Sequence, residues 1–166
     1  MDWNRILSKQ VVELPKSGIR EFFDLVTGSK DIISLGVGEP DFVTPWNIRE
    51  AAITSLEKGR TTYTSNYGLE SLRRAIATYV EDFFKVSYNP LNEILPTVGV
   101  SEAIDLALRC LVNPGDEVLY HEPAYVSYAP SVQLCYGTPK PVETCIDDLF
   151  ALNPAKLEAA ITPRTK

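Results

Sequence analysis

The feature that most constrains the fold is a regular alternation of strand-like and helix-like segments in the second half of the chain. Short apolar runs predict strands near residues 94–98, 117–120 and 138–142, and amphipathic stretches predict helices over 101–111 and 125–134. When strands alternate with helices, the strands pair in parallel and the helices form right-handed crossovers. The sequence therefore predicts an α/β protein with a parallel sheet.

The first half of the chain is predicted to be mainly helical. One helix is expected from Pro45 to about Lys58, with Thr44 as its cap and Gly59 as its stop. A polar loop precedes a second helix, from about Leu69 to Phe84. Its apolar positions recur at helical spacing and predict a buried stripe of Leu72, Ala75, Ile76, Tyr79, Val80 and Phe83.

The two ends of the chain carry shorter patterns. Near the N-terminus, Ile19–Val26 is an amphipathic segment and Ile32–Leu35 reads as a short strand. Near the C-terminus, Pro154–Ala160 predicts a last helix, and residues 161–166 look like the approach to a further strand. The sheet is therefore expected to be incomplete.

The segment Val98–Ala103 joins a predicted strand to the start of a predicted helix. The N–H groups and the positive dipole end of a helix N-terminus attract anions. Gly99 allows close approach to the backbone, and Ser101 adds a hydroxyl group. An ordinary turn in which Ser101 caps the helix explains the same pattern. The residues alone leave both readings open.

Two tyrosines and a glycine-rich turn are further candidates. Tyr125 follows a predicted strand, and ligands of open parallel sheets bind at the carboxyl ends of strands, which places Tyr125 on the same edge as Ser101. Tyr63 lies in a polar loop, where it either binds a ligand or anchors the loop by packing. Gly36–Asp41 is either a binding turn or a structural one, and it lacks the third glycine of a dinucleotide-binding motif.

Charge and cysteine content exclude several function classes. The formal net charge of −6 argues against a nucleic-acid-binding surface. The three cysteines have no paired spacing and the only histidine is His121, so buried free thiols are expected and a metal site is not. No long apolar run and no signal-like N-terminus are present, so a cytoplasmic location without membrane contact is predicted.

Several segments, in this order, resemble the class I/II aminotransferases of fold type I, which depend on pyridoxal 5'-phosphate. The resemblance covers about residues 15–166. The matching strings are Ser34–Phe42 with Thr44–Pro45, Tyr63–Thr64 with Gly68, Leu72–Arg73, Thr97–Ala103, Asn113–Val118, Pro123–Tyr128 and Ala159–Lys166. The resemblance implies an N-terminal arm and small-domain segment over 1–44, and the first part of the cofactor-binding large domain over 45–166.

The resemblance also implies roles for individual residues. Gly38 would present its backbone to the substrate carboxylate. Val100, through its N–H, and Ser101, through its N–H and hydroxyl, would hold the cofactor phosphate. Tyr125 would stack on the cofactor ring. Tyr63 would reach across a homodimer interface to the phosphate bound by the partner subunit. The substrates implied are an amino acid and a 2-oxo acid.

One departure from the family pattern limits what the chain is expected to do. Family members are more than twice as long and carry the lysine that forms a Schiff base with the cofactor, and an arginine for the substrate carboxylate, in later segments. Lys30 imitates the spacing around that lysine, but it precedes the first matching motif and is expected to be a surface residue. The chain is thus expected to be an N-terminal fragment without catalytic activity of its own.

Two other functions remain compatible with these motifs. A carbon–sulfur lyase or an acyl-transferring synthase of the same fold would bind the cofactor in the same way. A short, non-catalytic protein could instead use this half-fold for binding or dimerisation.

Overall fold

The computed structural model describes residues 5–15, 17–19, 38 and 40–166. The chain divides into two compact units, one formed by residues 1–30 with 98–166 and the other by residues 31–97. The predicted domain boundary at residue 44 rests on the resemblance and stays a prediction. Most of the predicted segment Ile19–Val26 and all of the predicted strand Ile32–Leu35 lie outside the described residues.

From residue 45 onward the described helices and strands follow the predicted order, except for the strand predicted near residues 94–98 and a 3-10 turn that was not predicted; the helix at Lys9–Glu13 was not predicted either. The described elements are α1 (Lys9–Glu13), α2 (Trp46–Glu57), α3 (Glu70–Phe84), α4 (Gly99–Leu111), β1 (Glu117–Glu122), α5 (Tyr128–Leu134), β2 (Thr138–Glu143), a 3-10 turn (Ile146–Asp148) and α6 (Pro154–Ala160).

The unit of residues 31–97 contains α2 and α3, and both predicted helices are confirmed. The cap predicted for α2 is wrong, because Pro45 occupies the N-cap position and no side chain caps the first turn. The predicted stop is confirmed: Lys58 is the C-cap, and Gly59 follows with a φ of +67°, a conformation that glycine adopts without steric cost.

The predicted buried stripe of α3 is wrong. Leu72, Tyr79 and Phe83 are 47%, 54% and 69% exposed. The apolar spacing suits a helix face, but burial needs a second surface, and no described element of this unit packs extensively on α3. The buried residue of α3 is Arg73, whose Nη1 donates hydrogen bonds to the backbone oxygens of Pro90 and Leu91, at 2.5 and 3.0 Å.

The strand predicted near residues 94–98 is also wrong, because residues 94–97 have no regular secondary structure. A strand needs a neighbour to satisfy its backbone N–H and C=O groups. Among the described residues, the sheet contains only the two strands that follow later in the chain, and residues 94–97 lead directly to the helix that begins at Gly99.

The unit that contains residues 98–166 is built on a parallel pair of strands. β1 and β2 pair from Glu117 opposite Thr138 to Glu122 opposite Glu143, which confirms the predicted parallel arrangement. On the other side of β1, Thr165 forms a parallel bridge with Glu117. The expected approach to a further strand is therefore confirmed, and the sheet is incomplete.

The core of this unit lies where α5 packs on β2. Val132, Cys135 and Val142 are its buried apolar residues. α5 begins at Tyr128, three residues later than predicted, because the loop after β1 continues to Ser127. The late start leaves Tyr125 in that loop rather than in the helix.

Gly137, between α5 and β2, is expected to tolerate no larger residue. A Cβ atom there would lie 2.7 Å from Val112 Cγ1 and 2.9 Å from Val132 Cγ1. Valine side chains have little rotamer freedom, so Gly137→Ala should lower the free energy of unfolding by about 1–3 kcal/mol. Urea unfolding measures this, with Gly18→Ala as the control because no atom lies within 4 Å of its added Cβ. Equal stability of the two variants would contradict the packing described here.

Candidate functional site

The N-terminus of α4 is open to solvent. Val98 is the N-cap and no side chain caps the first turn, while the carboxylate of Glu102 accepts a hydrogen bond from the Val98 N–H. Gly99 begins the helix with a φ of +78°, a conformation that favours glycine. Val100 and Ser101 follow in the first turn, where N–H groups have no intrahelical acceptor, and Val100 is 73% exposed.

The loop after β1 is anchored at its start by Thr144. The backbone oxygen of Glu122 accepts hydrogen bonds from both the N–H and the Oγ1 of Thr144, each at 2.8 Å. These two bonds tie the end of β1 to the residue after β2. They fix the start of the loop that contains Tyr125. The Tyr125 ring makes an edge-on contact with the ring of Tyr128, with ring centroids 5.8 Å apart.

The structure brings Ser101 and Tyr125 together, as the sequence predicted for one edge of the sheet. Both line a small recess between the first turns of α4 and α5. Its lining residues are Ser101, Ile104, Tyr125, Ser127, Tyr128 and Ser131. A hydroxyl-rich recess beside an uncapped helix N-terminus is suited to an anionic group.

Tyr125 also lines a second, larger cavity of about 480 Å³. Its wall combines the end of β1 and the following loop with the N-terminal residues Leu14, Pro15, Ser17 and Gly18. That volume is within the usual range for small-molecule sites. Burial, together with the nearby negative charge of Glu122, raises the pKa of Tyr120, which also lines this cavity.

Tyr63 lies in the other unit, in the loop between α2 and α3. Its side chain is fully exposed. It lines a cavity of about 720 Å³ whose other residues include Arg60, Thr64 and Arg73. The loop is shaped at Ser65, whose hydroxyl accepts the Tyr67 N–H at 3.2 Å. The prediction that Tyr63 contacts a phosphate of a partner subunit stays a prediction.

Gly38 is described as a single exposed residue between stretches that the structure does not describe. No atom lies within 4 Å of the position of an added Cβ. Its predicted contact with a substrate carboxylate stays a prediction.

The described residues were also compared with the expectations for metal ligands, membrane-spanning helices and cysteines. Among the described residues, no cluster of His, Cys, Asp and Glu could hold a metal ion, and no helix has the length and apolarity to cross a bilayer. All three cysteines are free. Cys135 is buried as expected, but Cys110 is exposed, because it lies on a side of α4 that no described element covers.

Sequence reasoning missed Thr144 and Glu122. No local pattern marks Thr144, since its contact is with a residue 22 positions earlier. A signal for Glu122 was available, because it ends β1, and the carboxyl ends of parallel strands are where ligands bind.

Comparison with known sequences gives a consistent result. The profile of the family described as aminotransferase class I and II matches residues 30–166. A putative aminotransferase of Bacillus subtilis, YugH, is 52% identical over 160 residues, which are 96% of this chain and 42% of that protein. An aspartate aminotransferase of Pyrococcus abyssi is 43% identical over 150 residues, 90% of this chain and 39% of that protein. The chain thus spans about two fifths of the length of these relatives.

Comparison with solved structures agrees. A Pyrococcus protein described as protein A1 superposes with a TM-score of 0.90 at 41% identity, over 95% of this chain and 40% of that one. The aspartate aminotransferase of Thermus thermophilus, solved with maleate, superposes with a TM-score of 0.87 at 34% identity, over 96% of this chain and 43% of that one.

Proposed function

Because this chain belongs to the class I and II aminotransferase family, whose members depend on pyridoxal phosphate, we propose that it forms the N-terminal, phosphate-binding portion of an amino-acid aminotransferase. The proposed reaction moves an amino group from an amino acid to a 2-oxo acid. The observation that carries the proposal is the shared recess of Ser101 and Tyr125 beside the open N-terminus of α4.

The residues around this recess are of the types that would hold a phosphorylated aromatic ring, namely N–H and hydroxyl donors and an aromatic side chain. The N–H groups of Val100 and Ser101 and the Ser101 hydroxyl would donate to the phosphate, with support from the dipole of a 13-residue helix. The carboxylate of Glu102, also in the first turn, accepts the Val98 N–H. Tyr125, between the recess and the larger cavity, would pack against the ring.

The cofactor, when bound, supplies an electron sink for the carbon that carries the amino group. The chain's own part is to hold and orient it. Thr144 fixes the loop that carries Tyr125. Gly38 would present its backbone to the carboxylate of the amino acid, as the family resemblance implies. Tyr63, fully exposed, would complete the phosphate site of a partner subunit in a homodimer. A cytoplasmic location belongs to the same proposal.

The names of the relatives favour this function over the alternatives that share the cofactor. The relatives described above are named as aminotransferases, and none of those names is a carbon–sulfur lyase or an acyl-transferring synthase. These names describe whole proteins, of which this chain matches about two fifths. The residues of the recess bind a cofactor and do not select a reaction.

Ser101→Ala should weaken binding of pyridoxamine 5'-phosphate by roughly 5- to 150-fold. This corresponds to about 1–3 kcal/mol for a hydrogen bond to a charged group. Pyridoxamine phosphate is the right probe because it has no aldehyde to react with surface lysines. Ser87→Ala is the control, because Ser87 is an exposed serine that does not line the recess. Equal weakening by both variants, measured by titration calorimetry, would refute a phosphate site at α4.

A further inference from the structure

The larger cavity beside Tyr125, of about 480 Å³, lies within one of the two units of the chain. α1 packs on α5, and the residues that follow α1 form one side of the cavity. The end of β1, the loop after it and the first turn of α5 form the other side. Because Tyr125 lines both this cavity and the recess of Ser101, a ligand that packs on its ring would lie next to the cavity.

The side chains that line this cavity are mostly apolar. They are Leu14, Pro15, Ala124, Val126, Ala129 and Pro130, together with the rings of Tyr120 and Tyr125. Such a wall stabilises an apolar ligand group by removing its surface from water. The volume lies in the range of small-molecule sites and leaves room for a side chain as large as an aromatic ring.

The charge of the cavity wall is negative. Among the described residues that line it, Glu122 is the charged one, and no described lysine, arginine or histidine lies on the wall. The charge of Glu122 acts inside the cavity, because it adds to burial in raising the pKa of Tyr120. A second carboxylate placed there would be repelled by Glu122 and would lose part of its hydration.

We propose that this cavity receives the side chain of the amino-acid substrate and that it prefers an apolar or aromatic side chain to an acidic one. The proposal rests on the proposed function, since it assumes that Tyr125 packs on the cofactor ring. The apolar wall supplies most of the preference. Glu122 adds a smaller part, because its side chain is exposed and water screens its charge.

The test compares ligands that carry the amino acid on a stable single bond, so that no turnover is needed. Titration calorimetry of the unmodified chain measures binding of pyridoxamine 5'-phosphate and of the phosphopyridoxyl derivatives of phenylalanine, aspartate and lysine. The phenylalanine derivative should bind about tenfold or more tightly than the other two, because only its side chain gains from the apolar wall over its whole length.

The outcomes separate this inference from the proposed function. If pyridoxamine phosphate itself does not bind, the proposed function fails. If it binds and the aspartate or lysine derivative binds as tightly as the phenylalanine derivative, only the preference assigned to the cavity is overturned. A cation supplied by Lys16 or Arg20, which lie outside the described residues, would give that second result.

Two glutamate variants test the part assigned to Glu122. Glu122→Gln should raise the affinity for the aspartate derivative about threefold and leave that for the phenylalanine derivative unchanged. Glu143→Gln is the matched control, because Glu143 lies opposite Glu122 in the strand pairing but does not line the cavity, and it should change neither affinity. Circular dichroism checks that both variants are folded, and the comparison on the unmodified chain decides the matter if Glu122→Gln is not. Equal effects of the two folded variants would overturn the role of Glu122.

Discussion

Residues 1–166 alone, supplied with pyridoxal phosphate, an amino acid and a 2-oxo acid, should not sustain transamination above the rate of the free cofactor. The reaction needs a base placed at the proton on the α-carbon. Among the residues that the structure describes, no lysine or histidine lines the recess of Ser101 and Tyr125 or the larger cavity that Tyr125 also lines. A positioned general base contributes about 10²–10⁴-fold, so the deficit relative to a complete family member should be at least that large.

A coupled assay for the 2-oxo acid product measures this, with the aspartate aminotransferase of Pyrococcus abyssi as the positive control. Many turnovers per chain from a homogeneous preparation would contradict the expectation. In that case Lys30→Arg is the first variant to make, because Lys30 has the spacing of a cofactor lysine.

Glu117→Gln should cause a larger loss of stability than Gly137→Ala. Glu117 is 1% exposed, and its carboxylate accepts hydrogen bonds from Thr162 Oγ1 and from Arg164 Nη2, both at 2.6 Å, with Lys140 Nζ at 3.8 Å. The amide keeps the volume but removes the charge that these partners face. Arg164 and Lys140 are themselves 69% and 48% exposed, so the loss comes from the buried side of these contacts, where a neutral amide replaces a charged acceptor of two short hydrogen bonds.

The same variant should change how stability depends on pH. Hydrogen bonds from Thr162 and Arg164 hold the pKa of Glu117 below its ordinary value. A carboxyl group with a lowered folded pKa stabilises the protein above its unfolded pKa, about 4.3, and that contribution disappears as pH falls through the folded value. Thermal unfolding of the unmodified chain between pH 7 and pH 3 should therefore converge on that of Glu117→Gln at low pH. Parallel curves for the two proteins would show that Glu117 carries no linked proton.

The sequence predicted those elements whose signals are local. α2 and α6 have clear starts at proline, and β1 and β2 are short apolar or mixed runs bounded by turns. The prediction failed where a second surface or strand decides the outcome. Residues 94–97 have the composition of a strand but are not part of the described sheet, and the apolar stripe of α3 has helical spacing but is largely exposed.

The same distinction applies to the site. Gly99 and Ser101 are residues typical of a strand-to-helix junction, so the N-terminus of α4 could be predicted from the sequence. The helix begins two residues earlier than expected. Thr144 anchors the Tyr125 loop through a residue 22 positions earlier, and no local sequence pattern predicts such a contact. No local pattern marks Glu117 as buried, because its partners Thr162 and Arg164 lie more than 40 residues away in the sequence.

The placement of the cofactor phosphate at α4 is the central claim, and residue-resolved NMR tests it most directly. A ¹⁵N-labelled chain would be titrated with pyridoxamine 5'-phosphate and, separately, with pyridoxamine, which lacks the phosphate. The amide signals of Val100 and Ser101 should shift only with the phosphorylated ligand, because only its phosphate reaches the first turn of α4. Signals of Tyr125 should shift with the phosphorylated ligand and, more weakly, with pyridoxamine. Shifts elsewhere in the chain, with Val100 and Ser101 unchanged at saturation, would contradict the proposed site.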